Sequence, residues 1–124
     1  MPKAHILLVE DEHFIRLVLS EALLEEGFAV TEAGDGAEAV LALDGEGGFD
    51  LLLTDLHMPG QLDGIAVARH ARARWAGLPV IFATGRPEAL QAFGRLGDRE
   101  ALLRKPFSPS EAVRMVARLL DLPG

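Results

Sequence analysis

Short apolar runs alternate along this chain with longer stretches in which apolar residues recur at helical spacing. The runs predict five strands, at residues 5–10, 28–33, 50–54, 78–84 and 100–105. Residues 12–26 show the helical pattern, with Ile15, Val18, Leu19, Ala22 and Leu23 on one face. Helix-start signals are Asp35, Asp63, Pro87 (for a helix running to about Leu96) and the capping box Ser108–Glu111.

Five strands that alternate with five helices predict an α/β fold. Such alternation indicates βαβ units, and therefore a parallel, doubly wound sheet covered by helices on both faces. A chain of 124 residues fits one domain, so we assign residues 1–124 to it. Ligands of open α/β sheets bind beyond the carboxyl ends of the strands, near a topological switch point. The strand ends are therefore where chemistry is expected.

Polar residues follow four of the five predicted strands. Glu10 and Asp11 end the first, Asp55 the third, Thr84 the fourth and Lys105 the fifth. Three carboxylates in one place repel each other, and Mg²⁺ with its preference for oxygen ligands relieves that repulsion. A lysine suits phosphate, a threonine hydroxyl donates to a phosphoryl oxygen, and a carboxylate can act as a nucleophile. The set indicates a site for a phosphorylated aspartate.

Each of these residues also has an ordinary structural interpretation. An aspartate before a loop commonly forms a turn, a threonine commonly ends a strand because of its β propensity, and acids commonly open a helix. A lysine that ends a strand is commonly solvated. Taken singly, the structural interpretation is favoured for each residue. Their coincidence at four strand ends favours the functional one.

Composition narrows the choice of partners. The net charge of −7 argues against general binding to nucleic acid or to anionic membranes, and the absence of cysteine excludes disulfides and thiolate metal sites. We find no secretory signal and no apolar stretch near the roughly 20 residues of a membrane span, so we expect a cytoplasmic protein. Arg69, Arg72 and Arg74 form a candidate basic patch that is better interpreted as a solvated helical face.

The motifs "LLVEDE", "LLLTDLHMPGQLDG", "VIFATG" and "LLRKPF" together resemble those of the receiver domain of bacterial two-component response regulators. The resemblance extends over essentially the whole chain, in the family's order, and implies a flavodoxin-like sheet of order 2-1-3-4-5. The resemblance also implies a role for each site residue.

By resemblance, Asp55 would be the phosphoacceptor. Asp11, Asp55 and the backbone carbonyl of His57 would bind Mg²⁺, and Glu10 would act chiefly through water. Thr84 and Lys105 would contact the phosphoryl group, and the Lys105–Pro106 bond would be cis.

Several positions bear on the subtype of receiver. Many receivers carry an aromatic residue where this chain has Leu102, and in the family that aromatic turns inward when the threonine moves. "FATGR" resembles a Phe-Ala-Thr-Gly group of stand-alone receivers, although "RPE" departs from that group's usual aromatic. By resemblance His57 and Arg86 flank the approach of the water that removes the phosphate; the alternative is that both are ordinary surface residues.

The expected function is that of a single-domain response regulator, a monomer or weak dimer, with no enzymatic activity beyond its own phosphorylation and dephosphorylation. A histidine kinase or phosphotransfer protein would donate the phosphoryl group. We expect no effector domain to follow. Output would then pass to an unknown protein, chiefly through the fourth predicted helix, fifth strand and fifth helix, or phosphate would be relayed or drained. Two alternatives remain open: an unphosphorylated pseudo-receiver and, less favoured, an aspartyl-phosphate phosphohydrolase.

Overall fold

The computed structural model describes residues 2–121. The strands are β1 (His5–Val9), β2 (Ala29–Ala33), β3 (Leu51–Asp55), β4 (Val80–Thr84) and β5 (Glu100–Arg104). The α-helices are α1 (His13–Glu25), α2 (Gly36–Asp44), α3 (Gly64–Arg74) and α4 (Pro109–Leu119), and a 3₁₀ helix (Pro87–Ala92) lies between β4 and β5. Within the described residues, no helix combines the length and apolar character that crossing a membrane requires.

The five strands form one parallel sheet in the order β2-β1-β3-β4-β5. The predicted doubly wound architecture and strand order are therefore confirmed. The order reverses direction between β1 and β3, which is the switch point at which such sheets bind ligands. Every residue of β3 and β4 is buried, as expected for central strands covered on both faces.

Alternate residues of each strand feed two separate hydrophobic cores. On one face Leu7, Leu52 and Phe82 pack with residues of α2 and α3. On the other face Ile6, Leu53 and their neighbours pack with residues of α1 and α4. Because side chains of a strand alternate between the faces of its sheet, both faces must be apolar. This explains why the strands are continuous apolar runs.

The predicted helix starts are confirmed at three positions. The side chains of Asp35, Asp63 and Ser108 each accept a hydrogen bond from the main-chain nitrogen three residues further on, at 2.8, 2.9 and 3.2 Å. Ser108 and Glu111 also form the reciprocal half of a capping box. These bonds satisfy amide groups that the first helical turn leaves without partners.

The predicted helix from Pro87 to about Leu96 is wrong in type and length. The segment is a 3₁₀ helix that ends at Ala92. Only Leu90 within it is buried, so it lacks the repeated apolar face that stabilises an α-helix by packing. Gly94 follows with a φ of +110°, a left-handed conformation in which the helix cannot continue.

Candidate functional site

The parallel strands bring the predicted strand-end residues to one edge of the sheet. Asp55 is the last residue of β3 and Thr84 the last residue of β4. Glu10 follows β1 directly, and Lys105 follows β5 directly, since these two strands end one residue earlier than predicted. The edge is the one at the switch point between β1 and β3, where the fold favours ligand binding.

Lys105 joins two of the carboxylates. Its Nζ lies 3.0 Å from Oδ1 of Asp55 and 3.3 Å from Oε1 of Glu10. The side chains of Asp55 and Glu10 are only 6% and 4% exposed, whereas that of Lys105 is 28% exposed. Buried charges require a partner of opposite charge, and a single ammonium group serves both carboxylates here. Lys105 therefore forms ion pairs within the cluster, and the interpretation of it as a solvated residue at a strand end is wrong.

The acids exceed the positive charge that balances them. Glu10, Asp11 and Asp55 each offer a carboxylate oxygen, and the three oxygens lie within 4.8 Å of one another. Three carboxylates face one ammonium group, and Asp11 is exposed to solvent beside the two buried acids. A hard divalent cation with oxygen ligands and several waters fits this donor set. The residues present therefore suit Mg²⁺.

Burial and charge shift the pKa values of all three central groups. Burial raises the pKa of the Glu10 carboxyl, and it raises the pKa of Asp55 even though Lys105 acts in the opposite direction. Burial alone would lower the pKa of Lys105, but the carboxylates of Asp55 and Glu10 outweigh it and raise that pKa. The ammonium form of Lys105 is therefore favoured, and the negative charge at the site favours a cation.

Thr84 is buried at the end of β4, next to Lys105 in the sheet. Its hydroxyl oxygen accepts a hydrogen bond from the main-chain nitrogen of Arg86 at 2.9 Å, and its main-chain carbonyl accepts one from the nitrogen of Lys105 at 2.9 Å. A hydroxyl both accepts and donates, so its hydrogen is left for a second partner. Thr84 is therefore held beside Lys105 with a donor to offer. The side chain of Arg86 itself is exposed.

His57 lies exposed in the loop between β3 and α3. The ends of that loop are fixed: the nitrogen of Leu56 donates to Ala83 at 2.9 Å, and the nitrogen of Gly64 donates back to Leu56 at 2.9 Å. Gly60 turns the chain with a φ of +96°. The role predicted for the His57 carbonyl, as a metal ligand, stays a prediction. The predicted cis conformation of the Lys105–Pro106 bond is observed.

The arginines of α3 donate hydrogen bonds to main-chain carbonyl groups outside the helix. Nη1 of Arg74 donates to the carbonyl oxygen of Leu43 at 2.7 Å, and Nε of Arg72 donates to that of Leu78 at 3.0 Å. Nη2 of Arg69 donates to the carbonyl oxygen of Ala92 at 3.2 Å. These bonds satisfy carbonyl groups at the ends of neighbouring elements. The arginines are thus ties between elements, which the solvated-face interpretation did not anticipate.

An apolar groove that sequence reasoning missed adjoins the site. It has a volume of about 460 Å³ and continues from Lys105 along Pro106 and Phe107 to the first turns of α1. Phe14, on that part of α1, is 68% exposed. The only signal for it in the sequence is the apolar pair Phe14 and Ile15 in the first turn of α1. The helical pattern had assigned Ile15 to the core, so this signal was not recognised.

Comparison with known proteins identifies the family. Residues 6–117 match the family described as the response regulator receiver domain. The chain is 42% identical over 116 residues to the transcriptional regulatory protein ResD of Bacillus subtilis, an alignment that covers 93% of this chain and 47% of ResD. The chain thus spans about half the length of the curated relatives that it matches.

Solved structures agree with this relationship. A response regulator receiver protein from Sinorhizobium medicae superposes with a TM-score of 0.87 at 28% identity, covering 95% of this chain and 94% of that one. The receiver domain of the sensor histidine kinase PA1611 from Pseudomonas aeruginosa, solved with a magnesium ion in its active site cleft, superposes with a TM-score of 0.81 at 28% identity, covering 95% and 98%. Both neighbours carry the fold described above along almost their full length.

Proposed function

We propose that this chain, which belongs to the response regulator receiver domain family, accepts a phosphoryl group on Asp55 in two-component signalling. The donor is a histidine kinase or a histidine phosphotransfer protein. Transfer would require Mg²⁺, which Asp11, Asp55 and the carbonyl of His57 would hold, with Glu10 acting through water. In this account the protein is a cytoplasmic switch and not an enzyme that acts on other substrates.

One observation carries the proposal: a buried aspartate shares a lysine with a second buried acid, beside a third acid. Asp55 and Glu10 both contact Nζ of Lys105, and Asp11 brings a further oxygen within 4.8 Å. A structural turn aspartate needs none of these neighbours. The excess of negative charge suits a metal, and the lysine remains available for the oxygens of an added phosphoryl group.

The transfer step follows from these positions. A carboxylate oxygen of Asp55 forms a bond to phosphorus, the P–N bond to the donor's histidine breaks, and the imidazole nitrogen keeps the electron pair and takes a proton from water. Lys105 moves its hydrogen bond from the carboxylate to a phosphoryl oxygen, and Thr84 donates to another. Bound Mg²⁺ would offset charge on the transferring group.

The apolar groove beside Lys105 supports the choice of donor. Phe14, Ile15, Pro106 and Phe107 line an apolar groove that is open to solvent and that extends to Lys105. Exposed apolar patches of this kind commonly mark protein contacts. A helix that carries a phosphohistidine, laid along α1, would bring its imidazole to Asp55 while covering the groove.

Phosphorylation would be passed on as a change in the surface that contacts another protein. Phosphorylation adds charge beside Thr84, and we propose that this shifts a two-state equilibrium in the loops after β3 and β4 and in the surface formed by the 3₁₀ helix, β5 and α4. That surface would contact an unidentified protein. ResD and other relatives are about twice as long as this chain and are named as transcriptional regulators. We propose that this receiver domain instead acts without an attached effector domain.

The test is intact-mass measurement after incubation with acetyl phosphate. Wild type with Mg²⁺ should gain the mass of one phosphoryl group, whereas wild type with chelator and Asp55→Asn with Mg²⁺ should gain none. An unlabelled wild type would support the pseudo-receiver alternative, and equal labelling of both proteins would place the phosphate elsewhere. A phosphohydrolase would instead turn over added phosphomonoester. Such enzymes carry a second acid two residues after the nucleophile, where this chain has the exposed His57.

A further inference from the structure

Arg16 is a partly buried residue of α1 that the proposed chemistry leaves unused. Its Nη1 donates to the main-chain carbonyl oxygen of Glu10 at 2.7 Å, and its Nε donates to Oε1 of Glu32 at 3.2 Å. Nη2 lies 3.2 Å from Nδ1 of His13 and must be the donor, since a guanidinium group accepts nothing. One side chain therefore links α1, the loop after β1 and the strand β2.

The surroundings are shaped to admit this guanidinium group. Gly34 follows β2, and a Cβ added there would lie 3.2 Å from Nη1 of Arg16, tighter than an ordinary contact. The Arg16 side chain is 18% exposed and Glu32 is 40% exposed, so the ion pair faces solvent on one side. An ion pair that is partly open to solvent contributes only modestly to stability. Pairing with Glu32 therefore does not by itself explain why the guanidinium group also binds the Glu10 carbonyl.

The carbonyl that Arg16 holds belongs to the peptide bond between Glu10 and Asp11. Because a peptide unit is planar, fixing the carbonyl oxygen fixes the direction in which the chain leaves Glu10, and with it the position of Asp11. The Glu10 side chain is held separately, by the main-chain nitrogen of Glu12 at 3.0 Å and by Lys105. Asp11 itself is exposed, between the end of β1 and the start of α1.

We infer that Arg16 is a positioning residue of the magnesium site, because its hydrogen bond to the Glu10 carbonyl orients the peptide that carries Asp11. The inference rests on the proposed function, in which Asp11 is a metal ligand. Arg16 does not touch the metal or the phosphoryl group. Groups that orient metal ligands without binding the metal commonly change affinity by tenfold or more.

A purely electrostatic role for Arg16 predicts the opposite result. The guanidinium group is a positive charge near a cation site, so its removal would strengthen Mg²⁺ binding by relieving repulsion. Loss of positioning would weaken binding instead. The sign of the change in affinity therefore separates the two roles.

Calorimetric titration with Mg²⁺ measures that sign. We expect Arg16→Ala to raise the dissociation constant about tenfold. Arg16→Lys keeps the charge but cannot reach both Glu10 and Glu32, so an intermediate value is expected. Arg118→Ala, in the last turn of α4, removes the same charge away from the site and should leave the constant unchanged. An unchanged or smaller constant for Arg16→Ala would overturn the inference.

A second measurement distinguishes positioning from general damage. In acetyl phosphate labelling, Arg16→Ala should need more Mg²⁺ for half-maximal rate but reach the wild-type rate at saturation. A lower saturated rate with an unchanged Mg²⁺ requirement contradicts positioning. If Arg16→Ala does not fold, Gly34→Ala, whose Cβ would lie 3.2 Å from Nη1 of Arg16 and which changes no charge, should weaken Mg²⁺ binding in the same direction. An unchanged constant in that variant would overturn the inference. Failure of wild type to bind Mg²⁺ would overturn the proposed function instead.

Discussion

The fold buries the carboxylate of Asp55, and burying a charged group costs free energy of folding. Its ion pair with Lys105 is shared, because Lys105 also contacts Glu10. Burial raises the pKa of Asp55 beyond the opposing effect of the lysine. In the metal-free protein the ionised form is therefore disfavoured relative to the unfolded chain. Such a cost is common at functional sites and is recovered when a ligand binds.

The first prediction concerns the metal-free protein in chelator. Asp55→Asn should raise the free energy of unfolding at pH 7, by on the order of 1 kcal/mol, since it removes a poorly compensated buried charge. Because the folded pKa of Asp55 exceeds the unfolded value of 3.8, wild type gains stability as the pH falls from the folded pKa towards 3.8. The gap between variant and wild type should therefore shrink with falling pH.

Urea unfolding at several pH values measures this gap. Glu46→Gln, a neutral replacement in an exposed loop, is the matched control and should differ little from wild type at any pH. Lys105 keeps Glu10 as a partner in Asp55→Asn, so no new unpaired charge arises. A variant less stable than wild type at pH 7 would show that the Lys105 pair outweighs the cost of burial.

At this scale the sequence predicted the strand-end residues but not what holds them. Asp55, Thr84 and Lys105 could be placed together because parallel strands must share an edge. Arg16 could not be placed, because helical periodicity marks it only as a polar position. Its bond to the Glu10 carbonyl depends on how α1 is rotated against the sheet. That rotation is a tertiary property with no local signal.

At the scale of elements, α3 is set directly against the end of β3. A Cβ on Gly64, the first residue of α3, would overlap the carbonyl oxygen of Asp55 and lie 2.9 Å from Cα of Leu56. Both obstacles are backbone atoms, which cannot turn aside as a flexible side chain can. Only glycine lets the helix start at this distance from the end of β3.

Gly64→Ala should therefore lower the free energy of unfolding by about 2 kcal/mol, the range typical of overpacking. Gly77→Ala is the matched control, since nothing lies within 4 Å of a Cβ there. Thermal or urea unfolding of the two variants checks the prediction. Equal stability of Gly64→Ala and Gly77→Ala would mean that α3 shifts at no cost, and that its distance from Asp55 is not constrained.

Element prediction succeeded where a local signal existed. The caps at Asp35, Asp63 and Ser108 are local hydrogen bonds, and each was visible as a polar residue before an apolar pattern. The prediction for the segment after Pro87 was wrong, because a proline at a helix start suggested a full α-helix. With only Leu90 buried there, packing does not extend the segment, and Gly94 ends it.

At the scale of the whole molecule, function follows from the order of the strands. β1 and β3 are neighbours, and β4 and β5 lie beyond β3, so residues as distant in sequence as Glu10 and Lys105 meet at 3.3 Å. Alternation of strands and helices predicted a parallel, doubly wound sheet, and the resemblance to receiver domains implied this strand order. The apolar groove beside Lys105 could not be predicted, since it lies between α1 and the segment after β5.

Asp55 is the residue proposed to carry the phosphate, and the proposed roles of the other site residues depend on it. After incubation with acetyl phosphate and Mg²⁺, borohydride reduces an aspartyl-phosphate to homoserine, and peptide mass spectrometry then locates the changed residue. We expect homoserine at position 55 alone, formed with Mg²⁺ and not with chelator. Homoserine at Asp11 or at any other position, or none in a protein that binds Mg²⁺, would contradict the account.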